Sequence, residues 1–134
     1  MTAVTALLLF AAWTLLLMLA YVMPRVLATL TMQKKANSWP RDVAGTESAL
    51  LLRAHHAHLN CVENLPVFAA VVLGAAVLGK SALVDALAPW VLYLRVAQSV
   101  THLIGTTPAL VFVRANFFLL QAALMGFMVW RLIA

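Results

Sequence analysis

The chain is built almost entirely from four apolar runs, each long enough to reach across a lipid bilayer. From Thr2 to Pro24 there is no charged side chain. A hydrocarbon core about 30 Å thick is crossed by about 20 helical residues, so a run of this kind is expected to be a membrane helix. Three more follow, and the expected spans are about 2–25, 48–79, 83–104 and 109–132. Gly79, Lys80 and Ser81 break the second from the third, and the turn Gly105, Thr106, Thr107, Pro108 breaks the third from the fourth. Of the 134 residues, 65% are hydrophobic and 10% charged, against about a quarter charged in a soluble domain. The fold class expected is therefore all-α: one integral-membrane four-helix bundle, with no room for a separate soluble domain. The first run has neither a basic start nor a small-residue cleavage site, so it is read as a span kept in the mature chain.

Charge gathers in the loop 26–47, where Lys34, Lys35 and Arg41, flanked by Arg25 and Arg53, face only Asp42 and Glu47. Basic loops stay on the cytoplasmic side, which puts both termini, Lys80 and Asp85 opposite. The expected setting is a multi-pass protein of a bacterial inner membrane with this loop cytoplasmic. The net charge of +5 is scattered over loop ends and spans; it forms no basic face for nucleic acid and is better matched to topology and anionic headgroups. No Gly-rich phosphate loop, serine-nucleophile motif or paired-carboxylate motif occurs, which argues against nucleotide-dependent and hydrolytic chemistry. The lone Cys61 has no disulfide partner and reads as a small core hydrophobe. Trp13, Trp39, Trp90 and Trp130, with Tyr21 and Tyr93, read as interface anchors or packing.

The polar exception is "RAHHAHLNCVENLPVF", Arg53 to Phe68, at the entry of the second span. At about 100° per residue, with Arg53 at zero, His56 falls near 300°, Asn60 near 340° and Glu63 near 280°. These four share one stripe, whereas His55 and His58, at about 200° and 140°, point elsewhere. Ionisable groups at membrane depth face a bundle interior or a wet cavity, so the stripe is expected to line a polar site. Glu63 lies about 15 Å along the axis from Arg53 and needs a partner from another helix: Arg95 of the third span first, Arg114 of the fourth second. A purely structural Glu63–Arg95 tie between two helices is the bland alternative.

With those residues in place, the run Arg53, His56-Ala57-His58, Asn60, Glu63, Pro66, Phe68 resembles the second-helix signature of the membrane-associated proteins in eicosanoid and glutathione metabolism, the MAPEG family. "LRVAQSVTHLIG" in the third span and "RANFFLLQ" in the fourth are similar to family elements at the same places. The resemblance implies a homotrimer that binds glutathione between neighbouring subunits and admits a lipophilic small molecule or lipid from the bilayer. It assigns Arg53, His56, His58, Asn60, Glu63 and His102 to glutathione binding; Lys34 or Lys35 stands where relatives have a basic residue near the end of the first helix.

Three departures from the family pattern stand out. His56 replaces an arginine, and histidine lacks the bidentate fork and full charge of a guanidinium. Gln98 and His102 stand where relatives often carry tyrosine or histidine and then tyrosine. Gly105 and Thr106 occupy the place of the arginine that stabilises the glutathione thiolate, which leaves Arg114 and Arg95 as the catalytic candidates. Three functions are therefore open: a membrane glutathione transferase or peroxidase; a noncatalytic lipid-binding or scaffolding protein resembling the five-lipoxygenase-activating protein, whose last loop also lacks the arginine; and a metal or haem protein using His55, His58 and His102, although no recognised metal spacing is present.

Overall fold

The computed structural model describes residues 1–35, 37–38 and 48–134. Trp39, Arg41, Asp42 and Glu47 lie outside the described residues. Four helices run in sequence, α1 (Ala3–Leu30), α2 (Ala49–Val77), α3 (Ala88–Ile104) and α4 (Pro108–Ile133), with one 3-10 turn at Ser81–Leu83 between α2 and α3. Three of them start on a hydroxyl cap: Thr2 accepts from the Thr5 amide, Ser48 from Leu51 and Thr107 from Leu110. Such a cap satisfies a backbone donor that the helix itself cannot. Pro108 in the first turn of α4 loses only an N–H that would be unpaired anyway.

Helix ends follow the same logic. Gly79 takes φ +67° just past α2, which lets the Lys80 amide reach back to the Ala75 carbonyl at 2.8 Å and the Gly79 amide to Ala76 at 3.1 Å. This double closure needs a left-handed residue, and glycine supplies it without steric cost. Pro24 and Pro66 sit inside α1 and α2 without ending them, so α1 runs past the expected end near residue 25. α3 begins at Ala88, later than the expected 83, because the chain around Ser81–Leu83 is spent on the turn.

Each helix buries a stripe with a spacing of three and four. In α1 the buried positions are Ala3, Ala6, Leu7, Phe10, Thr14 and Leu17; in α2 they include Ala54, Ala57, Cys61, Asn64 and Phe68. That period is the one at which helices interlock side by side. α1 packs chiefly on α2 and α4 on α3, with α3 also touching α1 and α2. Phe10 and Phe68 meet at 5.6 Å between ring centroids in the shared core. α4 departs from the pattern, since its buried residues Gln121, Met125, Met128 and Leu132 all lie in its second half. Its first half therefore flanks open space, and the cavities described below lie there.

The outer surface is apolar, with Leu8, Leu15, Leu16, Phe112, Leu119 and Trp130 all exposed. By length and composition α1, α2 and α4 are able to cross a membrane, while α3 has 17 residues. At the end carrying both termini, charged side chains bind backbone: Asp85 Oδ1 accepts from the Ala3 amide at 2.7 Å, Lys80 Nζ donates to the Leu132 carbonyl at 2.9 Å, and Arg131 Nη1 donates to the Leu83 carbonyl at 2.8 Å. An anion at the start of α1 and a cation at the end of α4 also complement the helix dipoles.

Candidate functional site

The polar stripe of α2 sits beside its buried stripe. From Ala57, which is in the core, His56, Asn60 and Glu63 are displaced by about 60 to 120° in the same rotational sense, so they look out past the core toward α4. There, together with Leu59, they line a cavity of about 400 Å³ closed by His102 from α3, Thr106 from the α3–α4 turn and Arg114 from α4. Asn60 Nδ2 lies 3.5 Å from His102 Nδ1, and the His56 and His102 rings are 6.1 Å apart. The Asn64 side chain donates to the Asn60 carbonyl at 3.1 Å, one turn further along the same helix.

A second cavity, of about 350 Å³, adjoins the first. Its walls are Asn60, Gln98 and Arg114 on one side and Val111, Ala115, Phe118 and Leu119 on the other. Asn60 and Arg114 belong to both cavities, so a polar chamber and an apolar-walled one meet at these two side chains. Arg114 Nη1 is buried and has no hydrogen-bond partner. A guanidinium is always charged and carries only donors, so this group is short of an acceptor.

The remaining sequence candidates are placed elsewhere. Arg53 does not line either cavity; its Nε donates to the Leu103 carbonyl at 2.9 Å and ties α2 to the end of α3. His58 turns to α1, with Nδ1 3.1 Å from the Thr14 carbonyl, and Tyr21 stacks obliquely against His55 at 4.7 Å and His58 at 5.6 Å. Arg25 lies over the same Tyr21 ring at 5.1 Å. His55 and His58 thus share a face of α2 that His102 does not reach, and among the described residues no group of three or more His, Cys, Asp or Glu converges.

Arg95 is fully buried, 5.6 Å above the Phe10 ring, with no hydrogen-bond partner on Nε, Nη1 or Nη2. The expected Glu63–Arg95 pair is not formed: Glu63 is exposed at the cavity rim, while Arg95 points into the core between α1 and α3. Cys61 is buried, 3.7 Å from Ser99 Oγ. Leu59 and the apolar wall from Val111 to Leu119 were not singled out from the sequence, because one apolar side chain among many carries no signal of its own. Gln121, one of two carboxamides in the last apolar run with Asn116, did carry one.

A larger apolar groove of about 850 Å³ runs between α1 and α3, lined by Leu9, Trp13, Leu16, Tyr93, Val96 and Val100 among others, with no charged side chain in its wall.

The MAPEG family model matches residues 3–134, essentially the whole chain. The chain belongs to the MAPEG family. Neither the curated proteins nor the solved structures returned a match. As a MAPEG protein with three helices able to cross a membrane, it is an integral membrane protein. Membership supports, in general terms, a role related to glutathione transfer or eicosanoids.

Proposed function

We propose that this MAPEG protein is a membrane glutathione transferase or peroxidase acting on lipophilic substrates. The observation that carries the reading is the junction of a polar and an apolar-walled cavity at Asn60 and Arg114. Glutathione, as co-substrate, occupies the polar chamber: Glu63 accepts from its ammonium group, while His56, Asn60, His102 and Thr106 supply hydrogen bonds. Its sulfur sits at the junction, where the Arg114 guanidinium favours the thiolate over the thiol. The lipophilic substrate lies against Val111, Phe118 and Leu119. In conjugation the thiol proton passes to solvent, sulfur forms a bond to an electrophilic carbon, and the leaving group departs with the electron pair of its broken bond.

The assembly proposed is a homotrimer. It is supported by the family to which the chain belongs. The basic loop 26–47 and the cavity end of the bundle are proposed to face the cytoplasm, where glutathione is available.

A second reading is a noncatalytic lipid-binding or scaffolding role. Two features favour it: Gly105 and Thr106 bring no guanidinium to the turn, and the α1–α3 groove is mostly apolar, with no charged side chain in its wall. Titration of the detergent-solubilised protein with glutathione, following thiolate absorbance in the ultraviolet, separates the two. A thiolate signal at neutral pH that disappears in Arg114→Ala supports the enzyme. Calorimetric binding without a thiolate supports the lipid-handling role, and no binding overturns both the site and the reaction.

A further inference from the structure

Gln121 is completely buried and Gln98 nearly so, at 0% and 7% exposure, although each lies within a largely apolar helix. Polar side chains at membrane depth are retained where they bond one another or serve a site. Gln121 Nε2 has two acceptors, the Phe117 carbonyl at 2.9 Å and Gln98 Oε1 at 2.9 Å. Carboxamide N and O are hard to tell apart by shape, but a backbone carbonyl only accepts. The atom of Gln121 beside Phe117 must therefore be the nitrogen, since the opposite orientation would set two oxygens against each other.

The orientation then propagates. With one hydrogen on Phe117, the other hydrogen of Gln121 Nε2 meets Gln98, so the Gln98 atom facing Gln121 is its oxygen. Gln98 Nε2 is consequently on the far side of its amide and has no hydrogen-bond partner among the described residues. Gln98 also lines the apolar-walled cavity with Asn60 and Arg114. The arrangement leaves Gln121 Oε1 buried without a partner, an unfavourable feature for stability. Arg114 Nη1, in the wall of the same cavity, is likewise buried without an acceptor.

We infer that Gln98 is a hydrogen-bond donor to the ligand in this cavity and that Gln121 is the positioning residue that decides which end of the Gln98 amide faces it. Two donors without acceptors, one of them cationic, fit a ligand atom that is anionic. On the proposed function, on which the identity of this atom rests, it is the thiolate sulfur of glutathione.

The test uses full-length protein labelled with ¹⁵N-glutamine, which has only Gln33, Gln98 and Gln121 to resolve, together with thiolate absorbance. In wild type, saturating glutathione shifts the Gln98 side-chain amide signals, and those of Gln121 exchange slowly with solvent in the presence or absence of ligand. Gln121→Met, which keeps the volume and removes the bonds, is expected to lower the thiolate formed per bound glutathione about tenfold, the equivalent of one hydrogen bond to a charged group. Gln98→Glu keeps an acceptor for Gln121, whose protons stay protected, but presents oxygen to the cavity and abolishes the thiolate signal. Gln98 signals unmoved at saturation, or a wild-type thiolate signal in Gln121→Met, overturn the inference. Should wild type bind no glutathione, the proposed function fails separately; the positioning role is then overturned if Gln121 amide protons exchange as fast as those of exposed Gln33, and stands if they are protected.

Discussion

The two ends of the bundle treat their charges in opposite ways. At the end with the termini, Asp85, Lys80 and Arg131 each terminate on a backbone atom of another element, so their charge holds helices together. At the other end, Glu63 is exposed at a cavity rim, and Arg114 leaves Nη1 buried and unpaired beside two cavities. At that end Arg53 is tied to the Leu103 carbonyl and Arg25 lies over the Tyr21 ring. The charges that fasten the termini end are satisfied inside the chain, whereas Arg114 stands short of an acceptor beside two cavities, and sites of that kind are where a fold departs from its own rules of consistency.

The largest effect expected from testing this contrast is at Arg114. Arg114→Ala should reduce kcat/KM for glutathione-dependent turnover by about 10²- to 10³-fold, the range seen when one preorganised donor to a developing charge is removed, with little change in thermal midpoint. Full activity in this variant would erase the distinction between the ends. Next is Asp85→Ala, expected to destabilise the protein by about 2 kcal/mol through loss of a charged hydrogen bond at the start of α1 while glutathione affinity stays unchanged; denaturation in mild detergent and calorimetry read the two quantities. Glu63→Gln should do the converse, weakening glutathione binding about tenfold and leaving stability within about 0.5 kcal/mol. The smallest effect is Lys80→Met, about 1 kcal/mol of stability and none of binding. If Glu63→Gln and Lys80→Met exchanged these outcomes, the two ends would have been assigned the wrong way round.

Much of this was legible before the structure, and for physical reasons. Apolar run length and the turn residues Gly79, Gly105 and Pro108 marked out four helices, because bilayer thickness and backbone capping act locally along the chain. Angular position on a single helix was also readable, which is why His56, Asn60 and Glu63 line one cavity while His55 and His58 turn toward Tyr21. The match of Glu63 with Arg95 was not readable. The two lie on different helices, and their relative rotation is set by packing such as Phe10 against Phe68, which a helical wheel does not contain. The bond from Arg53 to the main-chain carbonyl of Leu103 was not readable either, because backbone acceptors leave no trace in residue identity. The helix ends shifted where the apolar run and the hydrogen-bonded helix diverge, with Pro24 tolerated inside α1 and Leu83 spent on a turn.

The short connection from Lys80 to Asp85 has a further consequence. It grips the first turn of α1 through Ala3, receives Arg131 at Leu83, and grips the last turn of α4 through Leu132, so the beginning and the end of the described bundle are fastened to one small piece of chain. Closely held ends of this kind suit circular permutation. An order in which α4 leads through a short linker into α1 would keep all three fastenings, and the order of helices along the gene could be rewritten without disturbing the chamber at the opposite end.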